Sequence, residues 1–141
     1  EQIYKKVCRP MIKNGWDNIN KSLGLLDSLS CRTLIRLTGI KNLNINEHYM
    51  KNYIDIIKKG NPNFFEIKGF TLQAKALLIK ERLKSDNPVQ YYFPEYEFLE
   101  DFALKFEKMS GFPLIYKNRP SRDFLFAVNW DKDKNPKIRD I

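Results

Sequence analysis

Arg32-Thr33-Leu34-Ile35-Arg36-Leu37-Thr38 and Phe64-Phe65-Glu66-Ile67-Lys68 both alternate with the period of a β-strand. In the first, Arg32, Leu34, Arg36 and Thr38 share one face, and Thr33, Ile35 and Leu37 the other. In the second, Phe64, Glu66 and Lys68 share a face, with Phe65 and Ile67 opposite. The apolar faces must meet covering helices. The faces bearing Arg36, Thr38, Glu66 and Lys68 then point to the far side of the sheet.

The flanking segments predict those helices. Over 13–29, Trp16, Ile19, Leu23, Leu26 and Leu29 recur at three- and four-residue steps. A second helix runs from about Glu47 to Lys59, with Ile45, Tyr49, Tyr53, Ile56 and Ile57 as its stripe. Asn46 is positioned to cap it, and Gly60 to end it. Thr71–Leu83 reads as a less clean helix, and 85–94 as a loop carrying Tyr91, Tyr92 and Phe93. Glu95–Met109 is a third clear helix, with Leu99, Phe102, Ala103, Phe106 and Met109 inward and Gly111 at its end. Pro113–Tyr116 and Phe124–Val128 read as a hairpin joined by 118–123. Strands alternating with helices predict βα units and a parallel sheet. A chain that opens on a loop and helix without a preceding strand reads as the carboxyl-terminal part of an α/β barrel. Residues 1–130 form that part, and 131–141 a charged tail.

The 141 residues are 43% hydrophobic and 13% aromatic, enough for a core. No uncharged run approaches the roughly 20 apolar residues of a membrane span, which predicts a soluble protein. The first residue is Glu1, which predicts a missing or processed amino terminus. A net charge of +8 favours polyanions, RNA foremost, or serves solubility. Two distant cysteines, Cys8 and Cys31, and one histidine, His48, predict no metal site within this chain and reduced thiols.

Charges on a barrel's inner face either pair or bind something. Glu66 has Arg36 and Lys68 as candidate partners. Thr38 and Lys68 end their strands, where α/β barrels carry active sites. Arg9, Lys13, Lys41, Asn42 and Asn44 make a basic and amide-rich rim suited to phosphate or ribose. Tyr91, Tyr92 and Phe93 either stack on unpaired bases or anchor the loop.

Taken in order, several motifs resemble the later barrel strands of a radical S-adenosylmethionine family, tRNA 4-demethylwyosine synthase. They are Arg9-Pro10, Trp16, RTLIRLT (Arg32–Thr38), the loop ending in Asn44, GNPNFFEIKGF (Gly60–Phe70) and PSRDFLF (Pro120–Phe126). The resemblance implies a partial (β/α) barrel and a [4Fe-4S] cluster held by three cysteines in C-x3-C-x2-C. It implies a radical derived from S-adenosylmethionine that acts on N1-methylguanosine in tRNA(Phe). Two carbons of pyruvate then close a third ring. Lys68 matches the family lysine that holds pyruvate as a Schiff base. Arg36, Thr38, Asn44 and Glu66 are then expected to bind S-adenosylmethionine or substrate, and Arg9, Lys13, Lys41, Arg119 and Arg122 to bind tRNA.

The cluster motif is absent, so these residues are expected to be inactive alone. The intact protein is expected to be a cytoplasmic lyase acting as a monomer, away from membranes. After Phe70, TLQAKALLIKERLKSDNPVQYYFPEY (Thr71–Tyr96) replaces the His-Val-Gly and Asn-Met-Pro stretches of archaeal members, which leaves room for another nucleoside. The alternatives are a non-catalytic basic RNA-binding α/β module and a radical enzyme of the same fold with another substrate.

Overall fold

The computed structural model describes residues 1–130, the side chain of Lys75 apart. The charged tail expected over 131–141 lies outside the described residues. The elements run α1 (Gln2–Cys8), α2 (Gly15–Leu25), β1 (Leu34–Gly39), α3 (Met50–Gly60), β2 (Phe64–Gly69), α4 (Ile79–Leu83), α5 (Tyr96–Ser110), β3 (Leu114–Asn118) and β4 (Asp123–Ala127). Single 3₁₀ turns occupy Leu26–Ser28, Glu47–Tyr49, Ala74–Leu78 and Val89–Tyr92. The helix expected over Thr71–Leu83 is therefore a 3₁₀ turn followed by the five residues of α4. No described helix is long and apolar enough to cross a membrane.

The sheet order is β1-β2-β4-β3. β1 and β2 are parallel, as the βα pattern predicts, but β4 runs antiparallel to both β2 and β3. The expected parallel pair and the expected hairpin both form, and the pairing of β4 with β2 joins them into one mixed sheet. Burial explains the order. β4 carries Phe124 and Phe126, both fully buried, and takes an interior position. β3 exposes Ile115, Tyr116 and Lys117 and takes the edge.

One sheet face is covered by α3 and α5. Phe65 and Ile67 of β2 and Phe124 and Phe126 of β4 pack there on Met50, Ile54, Ile57, Leu99, Phe102, Ala103 and Phe106. Met50 and Ile54 join the expected stripe of α3, while Met109, expected inward on α5, is exposed. The end of α3 also differs from expectation. Gly60 is its last residue, and Asn61 takes the left-handed conformation at φ 41°. Gly60 instead gives room, since a Cβ there would lie 3.0 Å from Ile35 Cδ1. Gly111 does end α5, at φ 75°.

A second, smaller cluster of Ile40, Phe70, Ile79 and Tyr92 sits just past the carboxyl ends of β1 and β2. It draws on loop residues, the first residue of α4 and a 3₁₀ turn, and Val7 of α1 packs against it. The loop after β1 is braced by Asn44, which is buried. Its Oδ1 accepts from the Ile40 amide at 2.6 Å, and its Nδ2 donates to the Thr38 carbonyl at 2.9 Å. Tyr53 Oη donates to the Asn44 carbonyl at 2.7 Å, and burial pushes that phenol's pKa well up. Asn44→Ala strips the buried Ile40 amide and the part-buried Thr38 carbonyl of their partners. It is expected to destabilise the unit by about 2–4 kcal/mol, measured by chemical unfolding. A loss under about 0.5 kcal/mol would show that the loop holds without the brace.

Candidate functional site at the strand ends

The sheet's other face carries the charges. In register across it stand Thr38, Lys68 and Asp123 in one row, and Arg36, Glu66 and Leu125 in the next. Lys68 Nζ donates to Asp123 Oδ1 at 2.7 Å, and Ser121 Oγ donates to Asp123 Oδ2 at 2.6 Å. The Ser121 amide in turn donates to Asn118 Oδ1 at 3.2 Å. Lys68 keeps 34% of its side chain exposed, and Asp123 17%. One row deeper, Arg36 Nε donates to the Glu66 carboxylate, with Arg36 half exposed and Glu66 buried.

Of the two pairs open to Glu66 in the sequence, Glu66–Arg36 forms and Glu66–Lys68 does not. Residues directly opposite on paired strands approach to about 4.5–5.5 Å between Cβ atoms, closer than neighbours two apart on one strand. Asp123 holds that opposite position and takes Lys68. Thr38 lies beside Lys68 on β1 and is exposed. The row is closely backed: a Cβ on Gly69 would lie 3.0 Å from Leu99 Cδ1 and 3.1 Å from Arg122 Cβ. Glycine at this position lets the backbone after Lys68 lie close to α5 and the hairpin turn without pressing on Leu99 and Arg122.

The remaining expected residues divide into two groups. Lys41, Arg119 and Arg122 are engaged within the molecule. Lys41 Nζ reaches Glu95 at 2.6 Å, and holds that carboxyl below its ordinary pKa. Arg119 lies 4.1 Å over the Tyr96 ring and pairs with Glu97. The Arg122 guanidinium lies 4.0 Å over Phe93 and donates to the Pro94 carbonyl at 3.0 Å, and burial lowers its pKa. Together these two arginines fasten the β3–β4 turn to the amino end of α5. Arg9, left-handed at φ 44°, donates to the Arg82 carbonyl and is exposed. Lys13 is exposed, with no ion pair among the described residues. Asn44, expected to bind ligand, instead spends its side-chain amide on the Ile40 and Thr38 backbone.

Tyr92 is buried, and Tyr91 stands edge-on to it with ring centroids 5.2 Å apart. With Phe93 beneath Arg122, the aromatic run anchors its loop and leaves Tyr91 as its exposed ring. The sequence marks Ser121 and Asp123 only as members of the PSRDFLF motif. Their meeting with Lys68 emerges once β4 is placed beside β2. A cleft of about 370 Å³ bounded by Asp27, Arg32, Asn61, Asn63 and Asn129 opens at the opposite end of the sheet.

Cys8 and Cys31 are both exposed and far apart in sequence. Among the described residues no three His, Cys, Asp or Glu side chains gather to hold a metal. A three-thiolate cluster does not fit the residues of this chain.

Helices on one face of a mixed sheet, with a one-third-exposed lysine at the strand ends on the other, define an α/β segment. No family model matches the sequence. The chain is homologous to a segment of the S-adenosyl-L-methionine-dependent tRNA 4-demethylwyosine synthases, as the motifs predict. It is 30% identical over 125 residues to that enzyme of Pyrococcus abyssi, covering 88% of this chain and 34% of the relative. It is 42% identical over 67 residues to the Danio rerio enzyme, covering 48% of this chain and 9% of that one. The chain thus spans about a third of the archaeal relative's length. Among solved structures, a TYW1 with a lysine-pyruvate adduct bound superposes with a TM-score of 0.71 at 21% identity, covering 92% of this chain and 37% of that one. An archaeal TYW1 crystal structure gives 0.64 at 18%, covering 91% and 36%. The fold is shared with both.

Proposed function

We propose that this chain forms part of a radical S-adenosylmethionine lyase that joins two carbons of pyruvate to N1-methylguanosine in tRNA(Phe), giving 4-demethylwyosine. The observation that carries the reading is Lys68. It ends a central strand, faces away from the helices and stays one-third exposed. The homologous enzymes are named for this product. A structural neighbour holds pyruvate on a lysine.

The strands β1, β2 and β4 then belong to a partial (β/α) barrel whose inner face is the charged one. Residues 1–130 make up the carboxyl-terminal portion of that barrel with its extension. Lys68 supplies the amine for the 2-oxo carbon of pyruvate. Arg36 and Thr38, exposed on the same face, are placed to meet anionic or hydroxyl groups of S-adenosylmethionine or substrate, and Glu66 orients Arg36. The chain's two cysteines do not make the three-cysteine cluster set, so the chemistry assigned to these residues is that of the pyruvate end.

Borohydride reduction of the full-length enzyme in the presence of labelled pyruvate tests the reading. Label is expected on the peptide containing Lys68. Label on another peptide, or none, overturns the assignment.

The tRNA-binding role is assigned to Arg9 and Lys13, the two expected residues with exposed charge and no acidic partner among the described residues. Charge reversal at both is expected to lower the slope of log affinity against log salt by about 0.7–0.9 for each phosphate no longer neutralised. Arg122→Gln is expected to leave that slope unchanged, because Phe93 and Pro94 already occupy its guanidinium. An unchanged slope after both reversals would remove Arg9 and Lys13 from the interface.

A further inference from the structure

Lys68 is paired with one carboxylate and flanked by few other charges. Asp123 faces it from β4 at 2.7 Å. Glu66 stands one row deeper on β2 and is taken by Arg36 of β1. Arg122, in the turn behind Asp123, is stacked on Phe93 and bonded to Pro94. The second Asp123 oxygen is held by Ser121 Oγ at 2.6 Å. Asp123 is thus a carboxylate with both oxygens aimed, one at the lysine nitrogen and one at a hydroxyl fixed by the turn.

We infer that Asp123 is the catalytic proton-transfer partner of Lys68 in iminium formation with a 2-oxo acid, and that Ser121 is its positioning residue. The inference rests on the reading of Lys68 as the pyruvate-binding residue. An ammonium has no lone pair, so its proton must leave before attack. Asp123 takes that proton. The freed amine adds to the 2-oxo carbon, and a proton passes from nitrogen to oxygen to give a neutral carbinolamine. Asp123 then returns its proton to the hydroxyl as the C–O bond breaks and water departs. One ammonium and one ketone become one iminium and one water, with the positive charge conserved. The regenerated carboxylate stands beside the iminium as its counter-ion.

The test follows the rate of reductive trapping of labelled pyruvate on Lys68 against pH in the full-length enzyme. Asp123→Asn is expected to slow trapping by about 10²–10³-fold. Its rate is expected to climb towards alkaline pH, where bulk base deprotonates Lys68. Asp123→Glu is expected to recover part of the loss. Trapping by Asp123→Asn at the wild-type rate and with the wild-type profile overturns the inference. Should that variant fail to fold, as read by circular dichroism, Ser121→Ala decides the matter. It leaves the Lys68–Asp123 pair in place and removes one hydrogen bond from the carboxylate. Its acid limb is expected to move to higher pH, and an unmoved limb overturns the inference. If the wild-type enzyme itself places no label on Lys68, the functional reading fails. If the wild type labels Lys68 and Asp123→Asn does so equally well, only the role of Asp123 fails.

Discussion

On the proposed function, Lys68→Arg is expected to lower formation of the tricyclic base by at least about 10³-fold in the full-length protein, with tRNA affinity unchanged. The substitution preserves the positive charge, and a guanidinium can still bond the Asp123 carboxylate that Lys68 meets at 2.7 Å. What it removes is the nucleophile, since a guanidinium does not deprotonate near neutral pH. A purely structural ion pair would tolerate the change, because the pair survives it. Mass spectrometry of nucleosides from treated tRNA reads the outcome directly. Wild-type product levels from the variant would return Lys68 to the role of a sheet-closing charge.

Phe106→Ala is expected to produce the largest loss of stability, about 3–5 kcal/mol. Phe106 is fully buried on α5. Its ring lies 5.2 Å from Phe65, 5.3 Å from Phe126, 6.4 Å from Phe102 and 6.5 Å from Phe112. Truncation would open a cavity where α5 meets β2 and β4, and rings on two strands cannot close it without moving the sheet. A domain's whole stability is about 5–15 kcal/mol, so the variant is expected to be partly unfolded near physiological temperature. Chemical unfolding of the full-length protein measures the loss. A loss below about 1 kcal/mol would mean that this aromatic cluster is not the unit's core.

Periodicity made the two strands and their faces legible. Phe65 and Ile67 are buried against helices and Lys68 lies opposite, as alternation requires. On α5 it picked out Leu99, Phe102, Ala103 and Phe106, all buried, and failed only at Met109 in the last turn. Periodicity assigns a residue to a face and leaves the neighbouring strand undetermined. The insertion of β4 between β2 and β3 is a tertiary choice, driven by where Phe124 and Phe126 can be buried. Asp123 was illegible for the same reason, because its partnership with Lys68 exists only in that register. The cluster of Ile40, Phe70, Ile79 and Tyr92 gathers one residue each from four short segments and has no repeat to read. Lys41, Arg119 and Arg122 look like rim cations when only their charge is known. Their acidic and aromatic partners on and before α5 become visible only when the turn is docked.

The register of β4 has a consequence for synthesis on the ribosome. β2 gains β1 as soon as both have emerged, but its other edge waits for a strand whose Asp123 lies 55 residues beyond Lys68. At roughly 5–20 residues per second, that edge stays unpaired for on the order of several seconds. During this interval Phe65 and Ile67 lack the flanking rings of β4, and the edge can accept a foreign strand. A nascent-chain chaperone would therefore be needed most between the emergence of β2 and that of β4. A frameshift just ahead of residue 123 would leave α1 to α5 intact in sequence and still abolish the strand-end pair.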